Sequence, residues 1–134
     1  MMQRGAIVLV DDEKIVLDSL TLQLRSHFGE RFLYEAAQDA VEAWEVIDEL
    51  CCEGPRNIVV VCDCLMPGVR GDRFLVDLRA RHPEIPSILL TGHADPEAIQ
   101  CAVSEARVAA VLHKPWQAVE LFALIEKQTV SRPG

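Results

Sequence analysis

The chain alternates between short apolar runs and longer segments in which apolar residues recur every three or four positions. The short runs predict five β-strands: Ala6–Val10, Phe32–Ala37, Ile58–Cys62, Ser87–Thr91 and Val108–Leu112. The longer segments predict five helices: Glu13–Phe28, Ala40–Cys51, Asp72–Arg81, one that starts at Asp95-Pro96, and Trp116–Lys127. Strands that are apolar throughout and alternate with helices are typical of an α/β fold, in which helices cover both faces of a parallel sheet.

Right-handed crossovers leave few ways to order five parallel strands. For a chain of 134 residues the order 2-1-3-4-5 of a flavodoxin-like (βα)5 fold is the natural one. The structural alternative is a small Rossmann-like nucleotide binder, which needs a glycine-rich turn after the first strand, but Asp11-Asp12-Glu13 stands there instead. We expect one domain over residues 1–128, followed at 129–134 by a tail or the start of a linker.

Polar residues follow or end four of the predicted strands. The first strand leads into Asp11 and Asp12, the third into Asp63 and the fifth into Lys114, while the fourth ends at Thr91. In the expected order these four strands are neighbours. Because ligands of open parallel sheets bind outside the carboxyl ends of the strands, these side chains should converge on one crevice.

The chemistry of that crevice follows from its carboxylates. Three carboxylates this close cannot all stay ionised without a cation, and oxygen ligands favour Mg²⁺ or Mn²⁺ over zinc. Magnesium often shares its coordination with a phosphate, for which Lys114 and Thr91 supply a charge and a hydroxyl donor. Asp63 is then the best-placed nucleophile. Taken singly, an acidic pair often caps a helix and a threonine or lysine at a strand end is usually solvated, so the inference depends on the joint placement.

Charge and cysteine content narrow the function classes. A formal net charge of −8 with scattered lysines and arginines argues against direct binding to nucleic acid. We see no apolar run of transmembrane length and no signal peptide, so we expect a cytoplasmic protein without a membrane partner. The odd number of cysteines indicates reduced thiols, most of which we expect to be buried: Cys51, Cys52, Cys62, Cys64 and Cys101.

Four motifs together resemble the receiver domain of two-component response regulators, over about Ala6 to Glu126. They are the acidic pair in Asp11-Asp12-Glu13, the phosphoacceptor motif Asp63-x-x-Met66-Pro67-x-x-x-Gly71, the switch hydroxyl in Thr91-Gly92, and Lys114-Pro115. The resemblance implies that Asp63 accepts a phosphoryl group from a phosphohistidine on a sensor histidine kinase or a phosphotransfer protein. It also implies a phosphorelay function in which the domain switches conformation to control an output domain or partner protein, with a homodimer left open.

The resemblance further implies how the site is used. Mg²⁺ would be held by Asp12, Asp63 and the backbone carbonyl of Leu65, with Asp11 acting through water, and no other cofactor is implied. Thr91 would turn towards the phosphate and Lys114 would pair with it. The chain would be a signalling phosphoprotein that catalyses only its own phosphoryl transfer and autodephosphorylation.

One position departs from the family pattern. Receivers usually carry tyrosine or phenylalanine three residues before the lysine, and Val111 stands there. This leaves an alternative, a receiver-fold interaction module that phosphorylation does not switch. A metal-dependent phosphatase with an aspartate nucleophile is more distant, since it would normally carry a second aspartate two residues after Asp63, where Leu65 stands.

Overall fold

The fold is a five-stranded parallel sheet. A computed structural model describes residues 4–54, 56–64, 66, 68–92 and 96–129. The strands within these ranges are β1 (Gly5–Val10), β2 (Phe32–Ala37), β3 (Ile58–Asp63), β4 (Ser87–Thr91) and β5 (Ala110–His113), and they pair in the order β2-β1-β3-β4-β5. All four pairings are parallel. The predicted fold class and strand order are therefore confirmed.

The helices begin and end within two residues of the predicted bounds, apart from the end of α4. They are α1 (Lys14–Phe28), α2 (Ala40–Cys52), α3 (Gly71–Arg81), α4 (Pro96–Ser104) and α5 (Ala118–Thr129). The predicted cap of α4 at Asp95 lies outside the described residues, and the end of α4 was not predicted. The carboxylate of Asp39 caps α2, because its Oδ1 accepts a hydrogen bond from the Glu42 amide at 2.8 Å. None of the helices in the described ranges has the length and apolar character needed to cross a membrane.

Four strand ends differ from the prediction. Strand β1 begins at Gly5 and β5 ends at His113, each one residue beyond the predicted bound. Hydrogen bonding explains the other two. Strand β3 extends one residue further, because Asp63 still pairs with Leu90 of β4. Strand β5 begins two residues later, because the Val108 amide donates to the Ala102 carbonyl at the end of α4 instead of joining the sheet.

The core consists of two apolar layers, one on each face of the sheet. Alternate strand residues point to opposite faces, as the two-residue period of a strand requires. Helices α2, α3 and α4 cover one face, where they pack on Val8, Val60 and Leu89. Helices α1 and α5 cover the other, where they pack on Leu9 and Val61. The carboxyl edge of the sheet lies between these layers.

The expectation that most of the cysteines are buried was wrong. Cys62 and Cys64 are buried, Cys101 is partly buried, and Cys51 and Cys52 are exposed. The two exposed thiols lie in the last turn of α2, where Ile47 and Leu50 take the inward positions. Helical geometry leaves the neighbouring cysteines facing solvent.

Two leucines of α1 test this core. Leu24 is fully buried and Leu22 is 68% exposed, although they lie two positions apart in one helix. We expect Leu24→Ala to lower the free energy of unfolding by about 2–5 kcal/mol, because it leaves a cavity between α1 and the sheet. The matched control Leu22→Ala should change it by less than about 0.5 kcal/mol. Urea denaturation measures both, and similar losses in the two variants would contradict this placement of α1.

Candidate functional site

Three carboxylates meet at the carboxyl edge of the sheet. Asp11 and Asp12 follow β1, and Asp63 is the last residue of β3. The two strands are neighbours, with Val10 of β1 opposite Cys62 of β3, so the residues that follow stand side by side. One carboxylate oxygen from each of the three aspartates lies within 4.8 Å of the others. The structure thus brings together the acidic residues selected from the sequence.

Asp11 is the most deeply buried member of this cluster, with 2% of its surface exposed. Its Oδ1 accepts a hydrogen bond from the Glu13 amide at 2.9 Å, whereas its buried Oδ2 has no hydrogen-bond partner among the described residues. Burial raises the pKa of Asp11 to about 6; Asp63 and Asp12 add to the rise, and the Glu13 amide and Lys114 oppose it. A buried carboxylate oxygen without a partner is costly, and a bound cation would remove that cost.

Asp63 is paired with the lysine that follows β5. The Lys114 ammonium lies 3.3 Å from Asp63 Oδ1, and its side chain remains one-third exposed. Burial raises the pKa of Asp63, and the charge and hydrogen bond of Lys114 oppose that rise. The backbone amide of Lys114 donates to the Thr91 carbonyl at 2.8 Å, which fixes the start of the loop that carries the ammonium. Asp63 is therefore a buried carboxylate with one cationic partner and two acidic neighbours.

The hydroxyl-bearing residue of the set ends β4. Thr91 is buried and lies opposite His113 of β5. Val111 lies two residues earlier in β5, opposite Leu89, and packs partly buried against the core layer formed with α2, α3 and α4. The four strands whose polar ends were selected from the sequence are thus neighbours in the sheet. The Leu65 carbonyl lies outside the described residues.

Gly71 has a role that the sequence did not reveal, although it belongs to the quoted motif. Its amide donates to the Cys64 carbonyl at 2.9 Å. A Cβ added at Gly71 would lie 2.9 Å from the carbonyl carbon of Asp63 and would clash with the attached oxygen. Helix α3 therefore begins in direct contact with the Asp63 backbone, which only glycine allows. The motif spacing from Asp63 to Gly71 was the sequence signal from which this contact could have been predicted.

A second feature missed from the sequence is a buried acidic residue beside Gly71. Asp72 lies in the first turn of α3 and is almost fully buried. Its carboxylate pairs with the guanidinium of Arg70, with 3.0 Å between Oδ1 and Nε. An arginine and an aspartate two positions apart ordinarily indicate an exposed helix start, so nothing in the sequence distinguished this pair.

Comparison with known proteins assigns the arrangement to a family. The family model described as "Response regulator receiver domain" matches residues 7–126. The chain is 33% identical over 132 residues to the hydrogenase transcriptional regulatory protein HoxA of Cupriavidus necator, covering 98% of this chain and 25% of HoxA. It is 31% identical over 128 residues to the transcriptional regulatory protein FixJ of Bradyrhizobium diazoefficiens, covering 94% of this chain and 57% of FixJ. The chain thus spans a quarter of one relative and just over half of the other.

A solved structure agrees with this assignment. The signal receiver domain of an HD domain-containing protein from Pseudomonas fluorescens Pf-5 superposes with a TM-score of 0.81 at 26% sequence identity, and the match covers 94% of each chain. The family model, the relatives and the superposition all concern the same region, which contains the whole acidic cluster. The chain belongs to the receiver domain family of two-component response regulators.

Proposed function

We propose that Asp63 accepts a phosphoryl group and that this modification changes the contacts of the domain with an output domain or partner protein. The observation that carries the proposal is the position of Asp63, which is buried close to two acidic neighbours and has a lysine ammonium 3.3 Å away. Family membership supports the same assignment. No observation on the described residues favours the alternative of a receiver-fold module that phosphate does not switch.

The proposed reaction needs little of the protein beyond positioning and charge. A carboxylate oxygen of Asp63 attacks the phosphorus of a phosphohistidine on a sensor histidine kinase or phosphotransfer protein. The phosphorus–nitrogen bond breaks, the histidine leaves, and an aspartyl phosphate forms. Lys114 pairs with the new phosphoryl oxygens and the Thr91 hydroxyl donates to them. In autodephosphorylation a water attacks the phosphorus and the Asp63 carboxylate leaves, so the domain acts catalytically only on itself.

Mg²⁺ is the proposed cofactor. The donor set fits a hard divalent cation, because three carboxylate oxygens converge and Asp11 Oδ2 lacks a hydrogen-bond partner among the described residues. Asp12 is exposed, and it and Asp63 would be direct ligands, with Asp11 acting through water and the Leu65 carbonyl completing the set. Bound there, the ion neutralises negative charge on the carboxylates and on the incoming phosphoryl group.

The proposed switch is small on the side of α4 and β5. Position 111 holds a valine instead of an aromatic residue, and Val111 packs on a layer that contains the small residues Ala98 and Ala102 of α4. Because the valine side chain is small, it can vacate little space for Thr91 when Thr91 turns. We therefore assign the output to a surface away from this face, on α1 or α5.

The setting of the domain is part of the proposal. The family match to residues 7–126 supports a receiver domain over 1–128 with a tail or linker at 129–134. The chain covers only part of HoxA and FixJ, so its output, its kinase, its cytoplasmic location and any homodimer are proposed from the family rather than from the described residues.

The central test replaces the phosphoacceptor. Incubation with Mg²⁺ and acetyl phosphate should add one phosphoryl group to the protein, and Asp63→Asn should abolish the addition, because an amide is not a nucleophile for phosphorus. Intact-protein mass spectrometry measures the addition. The matched control Asp77→Asn removes an exposed carboxylate of α3 and should be labelled like the original protein. Equal labelling of Asp63→Asn would refute the assignment.

The buried charge of Asp11 predicts an unusual pH dependence. Its pKa is raised in the folded protein from 3.8 to about 6, so its stabilising contribution is complete below about pH 4 and is lost as the pH rises to about 6. Without Mg²⁺ at pH 7, Asp11→Asn should raise the free energy of unfolding by roughly 2–3 kcal/mol, because it removes the buried charge. The gain should vanish below about pH 4.

Urea denaturation at pH 7 and at acid pH measures this effect. The control Asp18→Asn removes an exposed carboxylate of α1 and should change the stability little at either pH. Added Mg²⁺ should stabilise the original protein more than Asp11→Asn. A variant no more stable than the original at pH 7 would contradict the charge assignment.

The switch is tested by amide hydrogen exchange with and without the phosphate mimic beryllofluoride. We expect small changes in β5 and α4, because Val111 lacks the bulk to exchange places with Thr91. The variant Val111→Phe restores an aromatic ring and should enlarge the changes there. A large change in the unmodified chain that is confined to β5 and α4 would count against an output surface on α1 or α5.

A further inference from the structure

The feature that the proposed function leaves unexplained is the buried carboxylate of Asp72. Among the described residues five polar side chains are buried, namely Asp11, Asp63, Asp72, Ser87 and Thr91. Three of these belong to the carboxyl edge of the sheet, whereas Asp72 lies in the first turn of α3. The helix dipole favours an acid there by at most a modest amount, which does not offset the cost of burying a charge without a partner.

Arg70 supplies that partner through a two-point contact. Its Nε lies 3.0 Å from Asp72 Oδ1 and its Nη2 lies 3.4 Å from Oδ2. The guanidinium is 46% exposed while the carboxylate is 3% exposed, so the arginine reaches inward from the surface. A contact through two nitrogen–oxygen pairs restrains the orientation of the guanidinium as well as its distance from the carboxylate.

The two members of the pair flank Gly71, which touches the backbone of the phosphoacceptor. The Gly71 amide is bonded to the Cys64 carbonyl, and its Cα faces the Asp63 carbonyl closely enough to exclude any side chain. The ion pair therefore joins the residues on either side of Gly71, which contacts the end of β3 directly. Loosening Arg70 from Asp72 would free Gly71 to move away from Asp63.

From this geometry we infer that Arg70 and Asp72 are positioning residues, whose ion pair holds Gly71 against the Asp63 backbone and so sets the rate at which Asp63 is phosphorylated. The second half of this inference, the effect on the rate of phosphorylation, rests on the proposed function. Its first half, the restraint on Gly71, concerns the protein without metal or phosphate and is measured independently.

The test compares Arg70→Met with the matched control Arg73→Met in the full chain. Arg73 lies on the same helix with an exposed side chain, and its guanidinium makes two long contacts, 4.0 Å to the exposed Glu105 carboxylate and 3.9 Å to the Cys101 sulfur. In metal-free protein, Arg70→Met should speed exchange of the Gly71 amide at least tenfold relative to that of Val8 in β1. With acetyl phosphate and saturating Mg²⁺ it should slow phosphorylation about tenfold, on the order of 1.4 kcal/mol in activation free energy. Arg73→Met should change neither.

Two further variants separate positioning from the burial of an unpaired charge. Arg70→Lys keeps a cation that can make one contact, so it should recover part of both losses and gives a milder change if Arg70→Met folds poorly. The double variant Arg70→Met with Asp72→Asn removes the unpaired charge and the restraint together, so Gly71 exchange should stay fast. Return of the double variant to the original exchange rate would overturn the proposal.

The other possible outcomes of these experiments also test the proposal. Equal acceleration of Gly71 and Val8 exchange in Arg70→Met would indicate general destabilisation and would overturn the proposal. An unchanged phosphorylation rate despite fast Gly71 exchange would also overturn it, as would equal effects from Arg73→Met. Failure of the original protein to be labelled on Asp63 would instead refute the proposed function, and the exchange data would still report on the restraint.

Discussion

Parallel pairing of β1 with β3 is the constraint on which the functional region depends. The register that sets Val10 opposite Cys62 brings the next residues, Asp11 and Asp63, to the same height, and both are carboxylic acids. Parallel strands all end at one edge, so β4 and β5 add Thr91 and Lys114 to the same crevice. An antiparallel partner would have carried its polar end to the opposite edge of the sheet.

The convergence of carboxylates at this edge also lowers the stability of the fold. Two of the three clustered carboxylates are buried, and burial raises the pKa of both. Lys114 offsets part of this cost at Asp63, while Asp11 retains a buried oxygen without a hydrogen-bond partner among the described residues. Stability is thus given up where a cation and a phosphoryl group are proposed to bind, as is common for sites that must accept charge. Either ligand would then stabilise the folded chain by preferring it over the unfolded one.

The two flanks of the site differ in their contacts. On the side of α3, Gly71 contacts the Asp63 backbone and an ion pair closes around it. On the side of α4, the core layer contains Ala98, Ala102 and Val111, so no aromatic ring stands at position 111. A fixed backbone position suits Asp63, because the proposed phosphoryl transfer depends on the geometry of its carboxylate. Receivers with an aromatic residue at this position are expected to rearrange on this flank, and the change proposed for this chain is smaller because a valine stands there.

The sequence alone determined the order of elements, the strand order and the identity of the residues at the carboxyl edge. Hydrophobic periodicity and strand-end polarity are local signals, and the handedness of crossovers turns them into a topology. What only the tertiary structure decided is how neighbours in sequence differ in environment. Asp11 is buried and Asp12 is exposed, and Asp72 is buried under Arg70 although nothing local distinguishes it. Burial, pairing and the close approach of Gly71 to Asp63 arise from contacts between separate elements, so they appear only once the chain has folded.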